Sequence, residues 1–164
     1  MDFSLEAVRL GQKAEDAKDV TRAMLWLHAD LRSWSDVTCL VPFAPFDVIM
    51  DKSTCDAIAT SENQVFTSSS ERSSICPVVL EIIDKAGPTE LSPVELLGLN
   101  LVPLTRKGTR WVALSYSSTR FDSLAYLESH WEVVSRSKMS APSGLQSAAH
   151  APEVYHWLYV LSRK

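Results

Sequence analysis

The chain has 164 residues, 46% of them apolar and 22% charged, the profile of a single globular domain long enough to bury a core. Its net charge of −4 gives no general attraction for nucleic acid or an anionic membrane, so nucleic acid is not an expected partner. No apolar run approaches the ~20 residues of a membrane span, and the opening MDFSLEAVRL lacks the basic and then apolar segments of a secretory leader.

In chain order, Ser4 is a natural N-cap for a helix over residues 5–18, with Glu6 in its first turn. Leu5, Val8, Gly11 or Gln12, and Ala14 trace its modest apolar stripe. Residues 24–29, MLWLHA, predict a short strand that ends in Asp30 and holds His28 as a packed residue. Residues 33–45 read as a loop with about one helical turn, closed by Pro42 and Pro45. Phe46, Val48, Ile49 and Met50 then form a partly β-branched apolar run, as expected for a strand covered on both faces in a mostly parallel sheet. Asp51 and Lys52 follow at its carboxyl end, where open α/β sheets bind their ligands; a solvated turn pair is an equal reading. Ser53 is the expected N-cap of the next helix, with Asp56 as a loose capping-box partner.

Residues 60–74, TSENQVFTSSSERSS, are polar and low in complexity and predict an exposed, disordered insertion. Residues 78–85 fit a helix or a short strand, and Gly87-Pro88 ends them. Ser92-Pro93-Val94-Glu95 supplies a cap, a proline at the first helical position and an acid in the first turn, so a helix runs from there to before Pro103. The glycine turn of residues 105–109 launches a buried strand over 110–117. Residues 121–129 read as helix, 130–138 as strand, 139–152 as loop and 154–162 as a last strand. With only a loop between them, the final two strands should pair antiparallel. Tyr155, Trp157 and Tyr159 suit core or edge packing better than base stacking. Cys39, Cys55 and Cys76 are too widely spaced for a disulfide framework or a CxxC site and read as free thiols of a reducing compartment, the cytoplasm. The four histidines show no metal-ligand spacing.

The stretch FDVIMDKSTCDAI resembles the fourth motif of the seven-strand, S-adenosylmethionine-dependent methyltransferases. It is closest in form to the FDvvxDKGTxDAi of the eukaryotic protein-lysine methyltransferase group that includes the elongation-factor-1A lysine methyltransferases. Ser53 stands where that form has glycine, which is tolerable if the position is a cap and not a left-handed turn. Asp2-Phe3-Ser4 is similar to the D-[FY]-S that closes the family's second strand, and Asp30 in HADLRSW to the acidic residue after its third. Ser115-Tyr116 with Arg120-Phe121 resembles the stretch after the fifth strand. HWLYVLSR resembles the H-[FW]-x-Y-x-[CL]-x-[RK] ending of the last, which inserts antiparallel beside the fifth.

The resemblance implies one partial, Rossmann-like α/β methyltransferase domain with a C-terminal antiparallel strand pair. It implies S-adenosylmethionine as cofactor and a protein lysine, a translation factor among the candidates, as methyl acceptor. Asp2, with Phe3 beside it, would hold the ribose hydroxyls, and Asp30, with Leu31, the adenine. Asp51 would be the catalytic carboxylate at the methyl end. Lys52, Tyr116 and Arg120 would face the substrate, Lys52 also orienting Asp51. Singly each aspartate reads as a cap or turn residue; three carboxylates closing three successive strands is the more telling pattern.

The resemblance runs from the end of the family's second strand to its last. The five glycines form no GxG, so nothing lets backbone approach the cofactor closely. The family's first strand lies between its second and fourth, and without it two inner edges lose their partner, at roughly 1–3 kcal/mol per buried unpaired amide. The expectation is an N-terminally truncated methyltransferase with impaired cofactor binding. The alternative is a non-catalytic fragment or pseudoenzyme that serves as a protein-interaction module.

Overall fold

The computed structural model describes residues 1–2, 4–18, 24–140 and 155–164. Phe3, residues 19–23 and most of the expected 139–152 loop lie outside them. The elements in chain order are α1 (Leu5–Asp16), α2 (Trp34–Val37), β1 (Phe46–Lys52), α3 (Thr54–Ile58), β2 (Gln64–Phe66) and α4 (Pro77–Ala86). They continue with β3 (Thr89–Leu91), α5 (Pro93–Leu101), β4 (Thr105–Ser115), α6 (Ala125–Glu128), β5 (Trp131–Ser140) and β6 (Tyr155–Arg163).

Ser4 caps α1 as its position predicts, its hydroxyl accepting the Ala7 N–H at 3.3 Å. The buried side of the helix differs from the expected stripe. Ala14 is exposed, whereas Glu15 is 4% exposed and bonds Lys18 at 3.0 Å. A Cβ on Gly11 would lie 2.4 Å from the Trp26 ring, so glycine is what lets that indole press against the helix. Residues 24–29 make a single parallel bridge between Asp2 and His28 in place of a full strand, the Asp2 N–H donating to the Leu27 carbonyl and the Ala29 N–H to that of Asp2. His28, expected to be buried in a strand, is exposed, since one bridge does not build a sheet over it.

The main sheet is mixed, in the order β1-β4-β6-β5, with β1 parallel to β4 and β6 antiparallel to both its neighbours. The last strand thus inserts between β4 and β5. Gly108, at φ 88°, sits where the β1–β4 register jumps from Phe46↔Thr105 to Val48↔Arg110, so β4 starts earlier than expected and carries the glycine as a bulge. Paired residues share a face. On one face Trp111, Ala113 and Tyr159 are fully buried beneath Val94, Leu97 and Leu101 of α5. Trp111 meets Phe121 and Trp131 edge-on at 5.1 and 5.5 Å. Helix α5 starts with the predicted capping box of Ser92 and Glu95 and is buried along its whole length. A Cβ on its Gly98 would lie 2.1 Å from Leu127, and the Gly98 carbonyl accepts the Trp131 indole N–H at 3.0 Å.

On the other face the expectation for β1 fails. Val48 and Met50 are 55% and 76% exposed, and β1 pairs with β4 on one edge but with no described strand on the other. A continuous apolar run marks a strand suited to two covered faces, but burial also needs neighbours, and among the described residues one edge of β1 has no paired strand.

The polar segment of residues 60–74 is largely exposed, as its composition predicts, but it is ordered: β2 lies within it and pairs antiparallel with β3, and Arg72 bridges Asp84 at 2.9 Å. Residues 78–85 resolve as part of α4, which stops at Gly87 with φ 81°. This helix closes a second core with α5 and β3 through Val79, Ile83, Leu91, Leu96 and Leu99. The helix expected over 121–129 shrinks to α6, because Ser123 at φ 59° interrupts it. Among the described residues no helix is long and apolar enough to cross a membrane.

Candidate functional site

A cavity of about 590 Å³ opens at the carboxyl end of β1, within the range of small-molecule sites. Leu40, Ile58, Leu97, Leu101 and Trp111 give it an apolar floor, and Asp2, Asp30, Leu31, Asp51 and Lys52 line it as well. Five of the residues singled out from the sequence therefore meet in one place. Tyr116 and Arg120 are not among the lining residues, and Phe3 lies outside the described residues.

Asp51 is 8% exposed. Its Oδ1 accepts the Thr54 N–H at 2.7 Å, and the Cys55 N–H lies 3.3–3.4 Å from its two oxygens. It is thus the cap of α3. Ser53, the expected cap, is left-handed at φ 64° and ψ 13° and makes no side-chain capping bond. The tight reversal at Ser53 brings the Asp51 carboxylate over the first N–H groups of α3, which explains why a glycine suits this position. Burial pushes the Asp51 carboxyl up, and the helix N–H groups oppose that rise. Cys55, buried beneath it, has its thiol pushed up by burial and by the charge of Asp51, so it stays a neutral packing residue.

Asp30 is held differently. Its Oδ1 accepts the Arg32 N–H at 2.9 Å and Nε at 3.0 Å, and its Oδ2 accepts Nη2 at 2.7 Å. Hydrogen bonds from this guanidinium hold the carboxyl below its usual range. Arg32 reaches on to the Ser61 hydroxyl at 2.7 Å, and the Asn100 amide of α5 donates to the Leu31 carbonyl at 2.9 Å. Arg32 and Asn100 fix the turn that presents Asp30 and Leu31, and sequence reading missed both. Asp2 accepts the Ser4 N–H with Oδ1 at 2.8 Å.

The expected substrate residues form a separate cluster around Asp56. Its Oδ1 accepts the Ser115 hydroxyl, Arg120 Nε at 3.0 Å and Arg120 Nη2 at 2.8 Å, and its Oδ2 the Tyr116 N–H at 2.9 Å. Asp56 is therefore no capping-box partner; it ties the end of β4 to α3. Arg120 is a brace, its side chain 21% exposed. The Tyr116 ring is 60% exposed and meets His156 edge-on at 4.6 Å.

No family model and no curated protein matches the chain. The apolar floor would take a ring or alkyl portion of a ligand, and the carboxylates of Asp2, Asp30 and Asp51 would accept hydrogen bonds from hydroxyl or amino groups at the rim.

Proposed function

We propose that the chain is a Rossmann-like, S-adenosylmethionine-dependent methyltransferase domain whose acceptor is a protein lysine, a translation factor being one candidate. We further propose that its cofactor binding is weak. The observation that carries this reading is the convergence of Asp2, Asp30 and Asp51, distant in sequence, on one cavity of small-molecule size. The parallel pairing of β1 with β4 and the parallel bridge of Asp2 to His28 support it, because both put chain ends on the same side.

The residues fit the nucleoside end of such a cofactor, since acceptors at Asp2 and Asp30 suit ribose hydroxyls and an adenine amino group. The missing GxG is why affinity is expected to be low. Bound, the cofactor supplies a methyl group on a sulfonium. Asp30 and Leu31, fixed by Arg32 and Asn100, would present one edge of the pocket. Asp51, whose carboxyl holds its proton more readily than usual, would accept a hydrogen bond from an incoming amine and orient it. Lys52 would steady the same turn.

A second reading, a non-catalytic protein-interaction module, is favoured by one observation: Asp51 and Asp30 already spend their oxygens on the α3 cap and on Arg32. Ligand-observed NMR with S-adenosylmethionine and the 164-residue chain separates the two. Saturable binding at high-micromolar or weaker affinity is expected. Asp2→Ala and Asp30→Ala should each weaken it by about 1–3 kcal/mol. Asp51→Ala should leave affinity in place and lower single-turnover methylation of lysine-bearing proteins. No saturable binding overturns the enzyme reading in favour of the module, and equal loss of affinity in all three variants reduces Asp51 to a cofactor contact. Low-micromolar affinity would refute the importance given to the missing glycine loop.

A further inference from the structure

A second cavity, of about 450 Å³, lies beyond the Asp30–Arg32 pair and is bounded by residues 33–35, β2 and α5. Of its described lining residues, only Asp30 and Arg32 also line the first. Its volume is within the range of small-molecule sites.

One polar side chain on its wall is fully buried: Asn100 of α5, at 0% exposure. Its Nδ2 donates to the Leu31 carbonyl at 2.9 Å, which fixes the amide's orientation and leaves Oδ1 as the end to be satisfied. Oδ1 meets no hydrogen-bond donor among the described residues. Buried polar groups are almost always paired, which makes the contents of the cavity the source of that donor.

The rest of the wall sets what the occupant is. The charged side chains on it are Asp30 and Arg32, paired at 2.7 Å, so the cavity offers no net charge to a carboxylate or an ammonium. Arg32 gives Nε and Nη2 to Asp30 and Nη1 to Ser61. A guanidinium has five N–H donors, so some remain for an acceptor. Trp34 and Phe66, both half-buried, supply ring surface. We propose that this cavity binds a small, neutral aromatic molecule carrying a primary carboxamide, whose N–H meets Asn100 Oδ1 and whose carbonyl meets Arg32. A primary amide brings a donor and an acceptor on one carbon, and Arg32 follows directly on the Leu31 that holds Asn100.

Saturation-transfer NMR with the whole 164-residue chain tests this, with nicotinamide and benzamide as probes. Both should bind saturably, with a millimolar or tighter Kd. N,N-dimethylnicotinamide, which lacks the N–H groups, and nicotinate, which exchanges the amide for a charge, should bind about tenfold more weakly or worse. Asn100→Leu should abolish binding. Gln64→Trp is a second variant, because Gln64 is exposed on β2 and lines the cavity. Tryptophan suits a strand, and its bulk at the mouth should lower affinity about tenfold. Met50→Trp, on the wall of the first cavity, should leave binding unchanged. Circular dichroism verifies that each variant is folded, and Gln64→Trp decides the matter if Asn100→Leu is not. Binding of neither amide overturns the proposal and leaves water as the partner of Asn100. Equal affinity for all four probes overturns it as well, as does unchanged binding by folded Asn100→Leu or Gln64→Trp. Loss of binding in Met50→Trp would move the probes to the first cavity and overturn it equally.

Discussion

Replacing Ser53 with glycine should stabilise the protein, against the usual result of placing glycine beside a helix. Ser53 is held at φ 64° and ψ 13°, a conformation that costs an L-residue about 1–2 kcal/mol. Its side chain makes no capping bond to offset this. The backbone bonds through the residue, from its own N–H to Leu114 and from Ala57 N–H to its carbonyl, survive the change. Against the relief stands the extra freedom of glycine in the unfolded chain, about 0.5–1 kcal/mol. The net gain is then about 0.5–1 kcal/mol. In a domain of this size it raises the melting temperature by about 1–4 °C. Urea unfolding monitored by tryptophan fluorescence, with an unchanged m-value, is the assay. Ser53→Val should go the other way, since a β-branched residue tolerates the left-handed region worst. If Ser53→Gly is neutral or destabilising while Ser53→Val is harmless, the turn is not left-handed in solution. The capping of α3 by Asp51 would then need another explanation.

Asp56→Ala leaves Arg120 without its carboxylate at a site where both side chains are mostly buried, and should destabilise by roughly 2–4 kcal/mol, toward the lower part of the range for breaking a buried pair. The double variant with Arg120→Ala should lose less than the sum of the singles in a double-mutant cycle; additive losses would mean that the two do not interact. The pH dependence separates Asp51 from Asp30. The folded Asp51 carboxyl lies above its ordinary value of 3.8, so the folded state binds the proton more tightly. Its contribution to stability is full at low pH and declines as pH rises through the raised value. Asp30 lies below its ordinary value, so its contribution is full above about 3.8 and is lost as pH falls through the lowered one. Urea midpoints from acid to neutral pH, each wild-type curve compared with Asp51→Asn or Asp30→Asn, should give differences of opposite slope. Slopes of the same sign would refute the environments assigned to the two residues.

Local sequence alone determined the features that local physics controls. The Ser4 cap and the Ser92/Glu95 box start α1 and α5, and Gly87 stops α4, because capping and backbone freedom act within a single turn. Runs of β-branched and aromatic residues marked β1, β4, β5 and β6, and their spacing marked the antiparallel ending. Tertiary structure decided what depends on distant partners. Asp51, not Ser53, caps α3, because the chain reverses there. The polar segment after α3 holds a strand, because Val65 finds Glu90 opposite it in β3. Asp56 gathers Ser115, Tyr116 and Arg120 from about 60 positions away, a contact that no short-range pattern announces. The same holds for β1: an apolar run shows what a strand is able to bury, but exposure belongs to the surroundings. Met50, in the middle of that apolar run, stands 76% open, and β1 has no described strand on its outer edge.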